Sequence, residues 1–263
     1  MVLDSKAMTE PQGWPEDATY DALIGSWSLY QREKGHKTST DDVLTAWLAY
    51  RSMAGRSPTR YLDLGCGIGS VLLMTCHALR PDYALGIEAQ QQSAAMAAAS
   101  IARLPDAGEI VLKQGDFREV DTGAEHHSFD LVTGSPPYFP VGTGTMSADY
   151  QRSACRFELR GGVEAYCEAA ERALSPDAHF VLVFQTQWDE RVLQAAEAVN
   201  LKLQQRVDVK MRVGNDQPFL SLYEFARTPS ELQVQSFAVR DEEGAITPEY
   251  RAIRTELGLS TSR

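Results

Sequence analysis

The chain is poor in the residues that mark a disulfide scaffold, a metal centre or a membrane anchor. Its four cysteines, Cys66, Cys76, Cys155 and Cys167, are spread over 263 residues and form no Cys-x-x-Cys pair. Five scattered histidines complete no zinc-ligand spacing, so no metal is expected. The thiols are expected to be free in a reducing compartment, the cytoplasm. No apolar run is long enough to span a bilayer, and the polar, acidic N-terminus lacks the apolar core of a secretory leader. No membrane partner is therefore expected. Positive charge is scarce as well. The 25 Lys and Arg residues face 36 Asp and Glu, a net charge of −11, which disfavours gripping a polyanion over the whole surface. Residues 31–60 and 202–212 run against this trend, each with an excess of three cations. They read either as local phosphate footprints or as ordinary solvated faces.

What is present centres on Ser135-Pro136-Pro137-Tyr138. The residues before it, Phe129-Asp130-Leu131-Val132, read as a short apolar strand closed by Gly134. Two prolines then rule out both helix and ladder. The segment is thus a stiff loop at the carboxyl end of a strand, where open α/β sheets bind their ligands. Such a loop can aim the Ser135 hydroxyl, the Pro136 carbonyl and the Tyr138 ring into one pocket. An amine with two hydrogens finds two acceptors there and an aromatic face, with Phe139 as a second stacking surface. The competing reading is a surface Pro-Pro turn with a half-buried Tyr138.

Upstream, residues 60–64 form a strand running into Gly65-Cys66-Gly67-Ile68-Gly69 and an apolar helix. Gly65, Gly67 and Gly69 let the backbone approach a ligand with no Cβ in the way. Asp63 either orders this turn through backbone amides or faces the ligand. A second strand ends in Glu88, about 20 residues past the glycines, where a carboxylate can bind ribose hydroxyls. A third ends in Gly115-Asp116-Phe117, which offers an acceptor and an apolar wall to an adenine. Acidic groups after successive strands suit a nucleoside without phosphates, and no lysine of a phosphate-cradling loop is present. The pattern points to S-adenosylmethionine rather than NAD or ATP.

Asp-x-Gly-x-Gly-x-Gly, the acidic strand end and the Pro-Pro-Tyr loop resemble the class I amino-methyltransferases. Three further stretches narrow the likeness: residues 35–42 (Gly-His-Lys-Thr-Ser-Thr-Asp-Asp), residues 140–149 with Arg156-Phe157-Glu158, and residues 237–250. Together they resemble the bacterial tRNA (adenine-N6)-methyltransferases that modify a valine tRNA beside the anticodon. The likeness implies a Rossmann-like α/β fold: a mostly parallel seven-stranded sheet with an antiparallel edge strand and helices on both faces. It implies S-adenosylmethionine as cofactor and RNA, a tRNA above all, as substrate. It adds Lys37, Asp42 and Cys66 to the cofactor residues Asp63, Gly65, Gly67, Gly69, Glu88, Asp116, Phe117 and Ser135. The chain departs from the family by carrying Ser135 where Asn is usual, and Thr38 where an aromatic is usual.

Along the chain, residues 1–13 are expected to be a disordered tail. Residues 14–57 form an N-terminal helical and hairpin extension, and 58–263 the methyltransferase domain. Pro15, Glu16 and Asp17 predict a helix to residue 27, followed by a small strand or hairpin over the cofactor; Ser39 or Thr40 then caps a helix. Residues 142–160 are polar, glycine-containing and without periodicity, which reads as a substrate-gripping flap. Arg152, Arg156 and Arg160 are its phosphate or base contacts, unless Arg156 merely pairs with Glu158. Strands over 201–209 and 219–225 form an antiparallel pair finishing the sheet, and 233–239 is a further strand. The expected reaction is attack of adenine N6 on a sulfonium methyl. Ser135 and the Pro136 carbonyl take the amine hydrogens, Pro137 stiffens the loop and Tyr138 stacks on an unstacked base. The alternatives are a protein glutamine methyltransferase and a catalytically silent subunit serving a partner.

Overall fold

The computed structural model describes residues 14–35, 37–119, 127–140 and 157–260. The chain enters through an antiparallel hairpin, β1 (Ala18–Ile24) and β2 (Trp27–Arg32). Here the expected helix over residues 15–27 is overturned. Side chains of this stretch bury with period two, Trp27 and Leu29 pointing inward. Asp17 is not a first-turn helix residue. Its carboxylate accepts from Arg32 Nε at 2.7 Å and from the Lys34 amide at 3.1 Å, tying the open end of the hairpin together. The hairpin docks on the nucleotide-binding half through distant partners: the Tyr30 amide donates to Ser100 Oγ, and Trp27 Nε1 to the Pro105 carbonyl.

Helix α1 (Thr40–Ser52) follows, with Ser39 as its N-cap. The Asp42 carboxylate reaches back to the Ser39 amide at 2.9 Å, closing a capping box. Five strands and three helices follow among the described residues: β3 (Arg60–Leu64), α2 (Ser70–Leu79), β4 (Tyr83–Glu88), α3 (Gln91–Ile101), β5 (Glu109–Gln114), β6 (Phe129–Gly134), α4 (Val163–Ala173) and β7 (Leu174–Gln185). Helix α5 (Asp189–Ala198), strands β8 (Lys202–Arg212), β9 (Leu220–Ala226) and β10 (Gln233–Arg240), and helix α6 (Pro248–Leu257) complete the chain.

The central sheet has the order β10-β8-β9-β7-β6-β3-β4-β5, mostly parallel. Among the described residues it contains eight strands rather than the expected seven, and its antiparallel strand is not at the edge. β9 lies between β7 and β8, antiparallel to both, as the expected pairing of β8 with β9 requires. The free side of β8 then takes β10 in parallel, from Gln233 opposite Gln205 to Arg240 opposite Arg212. Side chains alternate between two apolar layers. On β7, Val181 and Val183 join the hairpin, α1, α2 and α6, while Phe180, Leu182 and Phe184 join α4 and α5. A strand buried on both faces reads as the near-continuous apolar run seen in residues 180–184.

Close packing of α2 on the sheet depends on Gly86 in β4. A Cβ there would stand 2.7 Å from Leu72 Cδ2 and 2.9 Å from Cys66 Sγ, both in buried residues. Gly86→Ala is expected to destabilise the fold by about 1–3 kcal/mol through overpacking, read as a lower urea midpoint at unchanged slope.

Candidate active site

The carboxyl ends of β3, β4, β5 and β6 surround a cleft enclosing about 1020 Å³, part of it open to solvent. After β3, the backbone turns through Gly65 with φ of 64°, and a Cβ there would meet Tyr166 Oη at 2.5 Å. Only glycine satisfies both constraints. Glu88 closes β4. Its Oε2 accepts the Gly67 amide at 2.9 Å and its Oε1 the Gln90 amide at 2.6 Å, so one buried carboxylate joins the glycine turn to the start of α3.

Asp63, 3% exposed, lies beside this turn at the end of β3. Thr133 Oγ1 donates its single proton to Asp63 Oδ1 at 2.7 Å, so Tyr61 Oη is the donor in its own 2.7 Å contact with Thr133. Asp63 Oδ2 is buried and has no hydrogen-bond partner among the described residues. Burial pushes the Asp63 carboxyl up to about 7; the Thr133 bond and the nearby Leu72 amide oppose this, and the charges of Asp42 and Glu88 add to it.

The Ser135-Pro136-Pro137-Tyr138 loop forms the opposite wall. Ser135 Oγ is buried without a partner among the described residues, and Pro136 is buried. Tyr138 packs edge-to-face on Phe184 at 5.6 Å, and its hydroxyl donates to Asp41 Oδ2 at 2.7 Å. Burial, then the Asp41 charge, raises the Tyr138 phenol well above its usual range. Phe117, at the end of the β5 turn, packs on Tyr166 at 4.6 Å. The neighbouring Asp116 carboxyl is held below its usual range, first by its hydrogen bonds from Arg118.

Of the expected cofactor residues, Asp42, Asp63, Gly65, Cys66, Gly67, Glu88, Asp116, Phe117 and Ser135 line the cleft. Lys37 is exposed and stands outside the lining; Gly69 caps α2 and also stands outside it. Phe139 does not line the cleft either; it forms a bridge with Phe157, which does. Arg152 and Arg156 lie outside the described residues, whereas Arg160 borders the cleft. Glu158 gives both oxygens to Arg191, at 2.7 and 3.1 Å, and the same guanidinium holds Glu164. The expected Arg156–Glu158 pair therefore meets a carboxylate already bound to α5. The cationic stretch 202–212 is also partly spent, since Arg206 pairs with Asp189 and Asp208. Sequence reasoning missed Asp41, Ser70, Gln90 and Tyr166 in the lining. Asp41 adjoins Asp42 in a stretch already singled out, and Tyr166 carries no local signal beyond the apolar stripe of α4.

The architecture is that of the class I, S-adenosylmethionine-dependent methyltransferases, and the chain is an enzyme of that class. A predicted O-methyltransferase of Agrobacterium tumefaciens superimposes with a TM-score of 0.60 at 18% identity, covering 82% of this chain and 97% of that one. M. jannaschii TYW2, in complex with AdoMet, gives 0.52 at 14% identity, covering 81% and 88%. In sequence the chain resembles the bacterial tRNA(Val) (adenine-N6)-methyltransferases. It is 27% identical over 228 residues to the tRNA1(Val) (adenine(37)-N6)-methyltransferase of Yersinia enterocolitica, covering 85% of this chain and 86% of that one. To the Musicola paradisiaca protein of the same name it is 28% identical over 233 residues, covering 85% and 88%. No protein-family model matches the chain.

Asp63 makes a prediction that needs no ligand. Its carboxyl titrates at 3.8 in the unfolded chain and at about 7 in the folded one. The folded state keeps a proton over this window that the unfolded state loses, so Asp63 lowers stability as pH rises through it. Asp63→Asn retains the acceptor for Thr133 and carries no charge. Urea unfolding at about pH 5 and about pH 8 is expected to show a smaller loss of stability on the alkaline side in the variant than in the wild type.

Proposed function

We propose that this enzyme methylates the N6 amine of an adenine in tRNA, in the cytoplasm, using S-adenosylmethionine. The observation that carries this reading is the buried, unpartnered Ser135 hydroxyl on a cleft wall whose other groups suit the cofactor. Buried polar atoms without partners are rare in native proteins and mark places where a ligand completes the set. Asp63 Oδ2 is a second such atom, and it fits an ammonium group. Five carboxylates, Asp41, Asp42, Asp63, Glu88 and Asp116, border the cleft against Arg160. That balance suits a cationic nucleoside and repels a phosphorylated one.

S-adenosylmethionine, when bound, supplies an electrophilic methyl on a sulfonium. Glu88, fixed by two backbone amides at the end of β4, accepts from the ribose hydroxyls. Phe117 provides an apolar wall and Asp116 an acceptor for the cofactor's adenine. On the other side, Ser135 Oγ and the Pro136 carbonyl accept the hydrogens of the target amine. Their dipoles favour a pyramidal nitrogen as positive charge develops on it. Tyr138 offers a stacking face to a base turned out of its strand. Adenine and tRNA follow from the relatives' names rather than from any one contact.

The test is transfer of labelled methyl to total tRNA, DNA and protein in parallel, followed by digestion to nucleosides. The expected product is N6-methyladenosine in the tRNA fraction; label confined to protein or DNA would overturn the reading. Asp63 adds a pH signature. Because a bound ammonium favours the ionised carboxylate, cofactor affinity is expected to rise with pH up to about 7 and then level off. In Asp63→Asn, titration across the same range is expected to be flat.

A further inference from the structure

Beyond adding its charge to the cleft, Asp41 was given no contact in the reaction set out above, yet it touches one of the working residues. It sits in the first turn of α1 next to Asp42. The two carboxylates do different work: Asp42 closes the helix cap on the Ser39 amide, while Asp41 accepts the Tyr138 hydroxyl 97 residues away in sequence. The Asp41 carbonyl accepts from Thr45 Oγ1, so its backbone is held by the helix.

The loop that carries Tyr138 has little backbone freedom, because Pro136 and Pro137 fix their own φ. Its far end is fixed by the Glu158 amide, which donates to the Phe139 carbonyl at 2.9 Å. What remains free is the ring. A tyrosine ring has two torsions, and the phenol oxygen lies on the axis of the second. A hydrogen bond to that oxygen therefore sets where the axis points and leaves rotation about it open. Phe184, edge-to-face at 5.6 Å and interplanar angle 83°, restrains that rotation. One partner sets the axis and the other sets the plane.

We infer that Asp41 is a positioning residue: by holding the Tyr138 hydroxyl it fixes the aromatic platform on which the target base rests. This rests on the methyl-transfer reading above for its kinetic consequence, and on the Asp41–Tyr138 bond alone for its structural one. On this account the Tyr138 hydroxyl takes no part in the chemistry. Its purpose is the bond to Asp41, so removing either partner removes the same thing.

The experiment is a double-mutant cycle on the single-turnover rate of methyl transfer to tRNA at saturating cofactor. Asp41→Ala and Tyr138→Phe are each expected to slow transfer roughly tenfold, as for loss of one hydrogen bond to a charged group. The double variant is expected to be slowed by the same roughly tenfold factor rather than about a hundredfold, because the two share one interaction. In Tyr138→Phe, which removes the bond and keeps the Asp41 charge, cofactor affinity is expected to stay within about twofold of wild type. Asp41→Asn keeps an acceptor oxygen without the charge and is expected to recover most of the rate, which separates positioning from an electrostatic role.

A second readout does not require turnover. With 3-fluorotyrosine at position 138, the wild-type protein is expected to give one sharp fluorine resonance. Asp41→Ala is expected to shift and broaden it, and Asp41→Asn to restore it. Multiplicative rates, an Asp41→Asn variant as slow as Asp41→Ala, or a fluorine resonance indifferent to Asp41 would each overturn the inference. If the wild type transfers no methyl to tRNA, the substrate assignment fails and the fluorine resonance still decides the role of Asp41.

Discussion

The Glu88 carboxylate, buried at the end of β4, accepts two backbone amides that belong to different elements. Gly67 comes from the turn after β3 and Gln90 from the start of α3. A carboxylate removed from water in this way needs both bonds to offset its desolvation. In satisfying it, the fold fixes the relative position of two helix-opening turns. Asp63 stands beside it under the opposite condition, with one oxygen satisfied by Thr133 and the other left bare. One acid is therefore a strut and the other an open valence, although both end neighbouring strands of one sheet.

The cleft wall formed by the Pro-Pro loop is assembled from the other side of the sheet order and is held from two directions. The α1 N-terminus reaches the Tyr138 hydroxyl through Asp41. From α5, Arg191 grips Glu158 and Glu164 together, and so anchors the segment carrying Phe157, Arg160 and Gly161 along the cleft edge. Because the Glu158 amide also donates to the Phe139 carbonyl, that anchor extends to the end of the Pro-Pro loop. Rigid support of this kind is what a site needs when its contribution is orientation of two partners rather than strong acid–base chemistry.

Much of this was legible in the sequence, and the reasons are local. The glycine turn, the acidic strand ends at Glu88 and Asp116, and the stiffness of Ser135-Pro136-Pro137 follow from adjacent residues. So do the two-faced strands, whose unbroken apolar runs specify burial on both sides. The misreadings share one cause, which is a partner far away in the chain. Residues 15–27 carry helix-start signals at Pro15, Glu16 and Asp17. Their structure is decided instead by Arg32 across the hairpin and by Ser100 and Pro105 in the next layer. β10 reads as a strand, but nothing in residues 233–240 says that β8 has a free edge to receive it in parallel. Asp41 looks like one of two interchangeable acids at a helix start until Tyr138 appears beside it.

The central claim is that the Ser135 hydroxyl, unpartnered and buried in the cleft wall, accepts a hydrogen bond from the amine being methylated. The most direct measurement is the single-turnover rate of methyl transfer in Ser135→Ala at saturating cofactor, with cofactor affinity determined alongside. A contact made mainly in the transition state is worth about 1–3 kcal/mol, so the rate is expected to fall roughly ten- to a hundredfold while cofactor affinity holds. An unchanged rate would mean that the amine is held by other groups, and the assignment of this loop as the catalytic wall would be wrong.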